Sequence, residues 1–161
     1  MKPLIIVGVL LFVPGARAQE PRLATLAQQK MCADQARKAF NESDASKPIN
    51  DKKFRRVSPA EYTSHYDAKA NVCYIMVHES NILDDAKGNA NNKIIAMSKI
   101  VYDAFEGRVY ANYLWMSEKG KKFWEVAPME CNVKPRGQDE ITCKSSEEFD
   151  RLVDKHFGIG L

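Results

Sequence analysis

The sequence predicts an α+β fold. An N-terminal helix packs on an antiparallel sheet of about five or six strands, a short C-terminal helix closes the chain, and two disulfides staple it. Three observations carry this expectation. Helical periodicity is confined to the two ends of the chain, as expected when helices are segregated from an antiparallel sheet. Between them lie β-branched and aromatic runs separated by turns rich in Gly, Asn and Asp. The cysteine count is even, at four, with no short metal-type spacing.

The chain opens with Lys2, an apolar run from Leu4 to Val13, and Ala16-Arg17-Ala18. These are the three regions of a cleavable secretory leader. The run is far short of the ~20 residues that a membrane-spanning helix needs. Residues 1–18 are therefore expected to be a signal peptide, and residues 19–161 one globular domain with no membrane span. Taking Lys2 and Arg17 from the 24 basic residues leaves 22 against 21 acidic ones, a net charge of +1. So even a balance gives no reason to expect nucleic acid as a partner.

Pro21 to Asn41 carries a stripe of Leu26, Gln29, Ala33, Ala36 and Phe40 at helical spacing. The polar breakers in "NESDASKP" end it, and Ser43 to Ala60 reads as a loop. "EYTSHY" and "VCYIMVHES" alternate around the turn "DAKAN" and form a hairpin. "NILDDAKGNANN" is a loop. "KIIAMSKIVYDAF" and "RVYANYLWMS" are two longer strands turning at Glu106-Gly107. Phe123 to Val126 reads as a short strand, and Glu130 to Cys143 as a last hairpin bending at "PRGQD". Ser145 with Glu148 is a capping box for a closing helix, buried through Phe149, Leu152, Val153, His156 and Phe157 and ended by Gly158.

A structural zinc site wants C-x2-C pairs and a redox motif wants C-x-x-C, and neither occurs. Four cysteines allow three pairings. The eleven residues between Cys131 and Cys143 suit opposite arms of a hairpin, which leaves Cys32 for Cys73. Paired thiols exclude cysteine nucleophiles.

No other catalytic or metal template emerges. His65, His78 and His156 lack ligand spacing, and no G-x-S-x-G elbow is present. Asp84, Asp85, Asn89, Asn91 and Asn92 crowd one loop without the EF-hand spacing. "KKFRR", Lys52 to Arg56, reads as a solvated basic loop. No cofactor and no metal is expected.

The strand aromatics are the best functional signal. Tyr102, Tyr110, Tyr113 and Trp115 fit either core packing by their β-propensity or an aromatic sheet face that binds a protein or a small molecule. The latter makes a secreted or periplasmic, non-catalytic binding or accessory domain the leading expectation. The alternatives are an enzyme of unfamiliar type, built from His65 or His78 with Asp67, Glu79 or Asp103, and an inhibitor or immunity-like protein with a rigid loop.

"SHYDAKANVCYIMV", "YDAFEGRVYANYLW", "FWEVAPMEC" and "CKSSEEFDRLV" span most of the chain after the leader. Together they resemble a group of small exported bacterial proteins of uncharacterised function. The resemblance implies a bacterial envelope or secreted setting and carries no residue roles.

Overall fold

A computed structural model describes residues 23–49, 54–84 and 93–160. The stretch expected to be a leader, the Asp85–Asn92 tract and Lys52-Lys53 lie outside the described residues. Helix α1 spans Leu26–Glu42. The strands are β1 Phe54–Arg56, β2 Glu61–Asp67, β3 Val72–Asp84, β4 Lys93–Asp103, β5 Val109–Met116, β6 Glu130–Val133 and β7 Ile141–Thr142. Helix α2 spans Ser146–Phe157.

All seven strands form one antiparallel sheet in the order β1-β3-β4-β5-β6-β7. Strand β2 also pairs with β3, so β1 and β2 lie end to end along the same edge of β3. The sheet is thus six ranks wide, and the α+β class with helix, sheet and helix is as expected. The β2–β3 and β4–β5 turns use the same device. Asp67 Oδ1 accepts from the N–H groups of Lys69 and Ala70 at 2.8 and 3.0 Å. Asp103 Oδ1 accepts from Phe105 N–H at 2.8 Å, and Gly107 at φ +68° completes that turn.

Each helix covers one side of the sheet. Helix α2 buries Phe149, Val153 and Phe157 on a cluster that includes Tyr74, Met76, Val101, Tyr110, Tyr113 and Val133. Their spacing of four keeps them on one helical face. Helix α1 lies on the opposite side, over β2 and β3, with Cys32 and Ala36 buried against Tyr66, Ile75 and Val77. The disulfides are Cys32–Cys73, with Cα atoms 5.3 Å apart, and Cys131–Cys143, at 5.0 Å. Both pairings match the sequence expectation and fit an oxidising compartment. Among the described residues, no helix is long and apolar enough to cross a membrane.

Several local expectations need correction. Helix α1 starts at a Thr25–Gln28 capping box, not at Pro21. The bridge from Cys32 sets its rotation, so Leu26 is 84% exposed and Gln29 and Ala33 also face out. Strand β1 falls inside the expected loop, and its Arg56 pairs with Glu79 at 2.9 Å instead of standing in solvent. Phe123–Glu125 is a 3-10 turn and not a strand. At α2, Ser145 caps Glu148 N–H as expected, but the Glu148 carboxylate reaches back to Lys144 N–H and so only half of the capping box forms.

Candidate functional site

The four aromatic residues expected on an open face separate in the structure. Tyr110 is buried between Tyr74, at 5.3 Å between ring centroids, and Phe157, at 5.8 Å. Tyr113 is buried against Phe149 at 5.5 Å. Trp115 is buried against Phe123 at 4.7 Å. Tyr102 is half-buried on the other side of the sheet, in the α1 cluster. Strand alternation separates Tyr102 from its neighbour Val101. A register shift between β4 and β5 at Val101/Tyr102 then lets the consecutive Tyr110 and Ala111 both join the α2-side cluster. A broad aromatic sheet face is therefore not what these residues present: α2 and the segment after β5 cover three of them.

What remains at the surface is smaller and lies at the edge of that cluster. Tyr113 and Trp115 floor a cleft of about 100 Å3, walled by Phe123 and Trp124 and by Ser145 and Ser146 at the start of α2. The segment Ser117–Met129 is pinned at both ends. Ser117 N–H donates to Ile95 O at 2.8 Å, and Met129 N–H donates to Leu114 O at 2.8 Å. In its middle, Trp115 Nε1 donates to the Val126 carbonyl at 3.0 Å. A 3-10 turn rotates successive side chains by about a third of a turn. Phe123 therefore packs inward on Trp115 while Trp124 points outward and is 75% exposed. Lys122 Nζ sits 5.2 Å from the Trp124 ring centroid, within cation–π range. Met129, 65% exposed, lies in the same segment. Reading Phe123 to Val126 as a strand hid this arrangement. The signal that could have found it is a tryptophan on a short turn between Lys122 and Pro128.

Beside the cleft a polar row crosses the α2 side of the sheet. Cross-strand pairing places Glu61 opposite His78, His78 opposite Lys99, and Lys99 opposite Tyr113. Lys99 is buried, and its Nζ donates to both oxygens of Asp150 at 2.7 Å and to Ser146 Oγ at 3.0 Å. Burial first, then the neighbouring Lys99 charge, hold the His78 imidazole below its ordinary range, while Glu61, Asp150 and Glu79 pull less strongly the other way. Burial, then Lys155, lowers His156 as well.

A folded-state histidine pKa below its unfolded value means that the folded form disfavours the proton. That stability is present in full above the unfolded value of about 6.5 and is lost as pH falls through the interval down to the folded value. Urea midpoints are expected to fall between pH 7.5 and 5.5. The fall should be smaller in His78→Gln, and an unchanged pH slope in that variant contradicts the assignment.

The rival histidine–carboxylate set does not assemble. His65 lies opposite Tyr74 and His78 opposite Glu61, four ladder positions apart. Asp67 and Asp103 cap their own turns, and Glu79 pairs with Arg56 on the other sheet face from His78. Among the described residues no group of three His, Cys, Asp or Glu side chains is placed to hold a metal ion. No protein family, no curated protein and no solved structure matches this chain, so no activity comes to the cleft by likeness.

Proposed function

We propose that the protein is a non-catalytic binding or accessory domain of the bacterial envelope or its surroundings, exported by its leader and folded there with both disulfides closed. It contacts another protein through the Ser117–Met129 segment, with Trp124 as the anchor. The observation that carries this reading is Trp124 itself, 75% exposed on a turn fixed by the buried Trp115–Val126 hydrogen bond. Tryptophan dominates the energetics of protein contacts out of proportion to its number, and a pre-ordered segment loses little entropy on docking. The adjoining cleft, about 100 Å3, is well below the ~300–1,000 Å3 of a small-molecule site and suits one partner side chain.

An inhibitor-like role is the second reading, favoured by the same pinning of the segment at both ends. Tight one-to-one capture of a partner would separate it from a looser accessory role.

Trp124→Ala is expected to change stability by no more than about 0.5 kcal/mol, as for other exposed positions. It is expected to weaken partner binding by about 2 kcal/mol or more, roughly thirty-fold. Native mass spectrometry of the wild-type and variant proteins purified from their own host measures this. Equal retention of the same partner by both contradicts the reading.

A further inference from the structure

The sheet has one long edge that nothing in the described structure protects. Strand β7 ends the sheet with only two residues, and β1 has three, two of them arginines. Strand β2 has seven, "EYTSHYD", with no lysine, no proline and an unbroken register against β3. Lysine, proline and a bulge each blunt an edge, and β2 has none of these three, its two charges standing only at its ends. Among the described residues, no backbone hydrogen bond joins Glu61 to Tyr66 to any segment other than β3. The central residues Thr63, Ser64 and His65 are exposed.

A second feature lies along the same edge. A groove of about 570 Å3 runs between α1 and β2. One wall is the consecutive run Ser64 to Lys69, the end of β2 and its turn; consecutive strand residues belong to opposite sheet faces, so the groove follows the strand's edge and not one face. The other wall is Leu23 and Ala24 ahead of α1 and Gln29, Cys32 and Ala33 on it. Two ties hold the walls at a fixed separation: the Cys32–Cys73 disulfide, and Gln28 Nε2 donating to Tyr66 Oη at 3.1 Å, which in turn donates to Asn71 Oδ1 at 2.6 Å.

The geometry points to strand addition: the α1–β2 groove takes an extended segment of another polypeptide, which pairs antiparallel or parallel with β2 and lays alternate side chains against α1. A strand edge beside a helix supplies main-chain hydrogen bonds for affinity and a helix wall for side-chain selection. Seven residues at ~3.3 Å each give a docking edge of roughly 20 Å.

Charge selects the occupant. Glu61 and Asp67 stand at the two ends of β2. A second copy paired over the full strand about a two-fold axis at Ser64 would set Glu61 opposite Asp67 twice, and like charges directly opposite are destabilising. An extended segment of another protein with Lys or Arg opposite Glu61 and an uncharged remainder meets that end with opposite charge and keeps its own cations away from Lys69, which lines the groove just beyond Asp67. This groove lies on the α1 side of the molecule and stands independently of the Trp124 contact.

The test uses a display library of random ten-residue peptides panned on the intact disulfide-bonded protein, with the Ala33→Phe variant as counter-selection. Ala33 is exposed on α1 and lines only the groove wall, so filling it leaves the fold in place, which circular dichroism checks. Retained peptides are expected to alternate in polarity and to carry a basic residue near the end that meets Glu61. Their affinity should fall ten-fold or more on Ala33→Phe, and equally when alternate peptide nitrogens are methylated to remove edge donors. On binding, amide exchange in β2 should slow ten-fold or more. The proposal is overturned if no peptide prefers the wild type to Ala33→Phe, or if N-methylation leaves affinity unchanged. It is also overturned by a dimer that Ala33→Phe dissolves, which would give the groove to a second copy. Binding that appears only after the residues before Leu23 are trimmed would give it to the chain's own N-terminal segment.

Discussion

Replacing Cys32 and Cys73 together by serine is expected to cost about 4 kcal/mol, the chain-entropy value for a bridge spanning a sequence separation of 41. The loss should be local at first. Helix α1 fully buries only Cys32 and Ala36, two small side chains, so it has little apolar area of its own with which to stay docked. A 17-residue helix freed from its tertiary contacts is marginal in water. Helicity should fall, and α1 amides should exchange far faster while those of β3 to β5 stay protected. Hydrogen exchange by mass spectrometry reads both. Unchanged protection across α1 would show that packing, and not the bridge, holds it.

Phe149→Ala is the second large effect, about 3–5 kcal/mol. Phe149 is completely buried on the first full turn of α2, against the Tyr113 ring. Truncation opens a cavity beside the Tyr113 ring, one residue along α2 from Asp150, whose carboxylate pairs with Lys99. Helix α2 also supplies Ser145 and Ser146 to the cleft. Equilibrium unfolding in urea is expected to show the lost stability without a change in which residues form the sheet. A loss under 1 kcal/mol would mean that α2 packs on the sheet mainly through Val153 and Phe157.

The fold was legible where the signals are periodic and local. Val72 to Val77 and Phe149 to Phe157 announce their elements, and the hairpin spacing of Cys131 and Cys143 announces its own bridge. The sequence was silent where tertiary geometry decides. The Cys32–Cys73 bridge was expected, but nothing in the α1 stripe says that it turns the helix so that Leu26 and Ala33 stand outside. Nothing in a row of strand aromatics says that a bulge at Val101/Tyr102 and an overlying helix bury Tyr110 and Tyr113. Composition marked this region as aromatic, but which ring reaches solvent is settled by a 3-10 turn three residues long. The β2 edge was equally hidden, because edge position is a property of pairing and not of the strand's own sequence.

The central reading is that Trp124 anchors contact with another protein. A photo-reactive amino acid placed at the exposed Met129, with one at the exposed Arg151 of α2 as control, tests it most directly in the native host. Discrete crosslinked adducts are expected from position 129, absent from position 151 and reduced several-fold when Trp124 is replaced by Ala. Adducts from position 129 that survive Trp124→Ala undiminished, or adducts from position 151 alone, would contradict it.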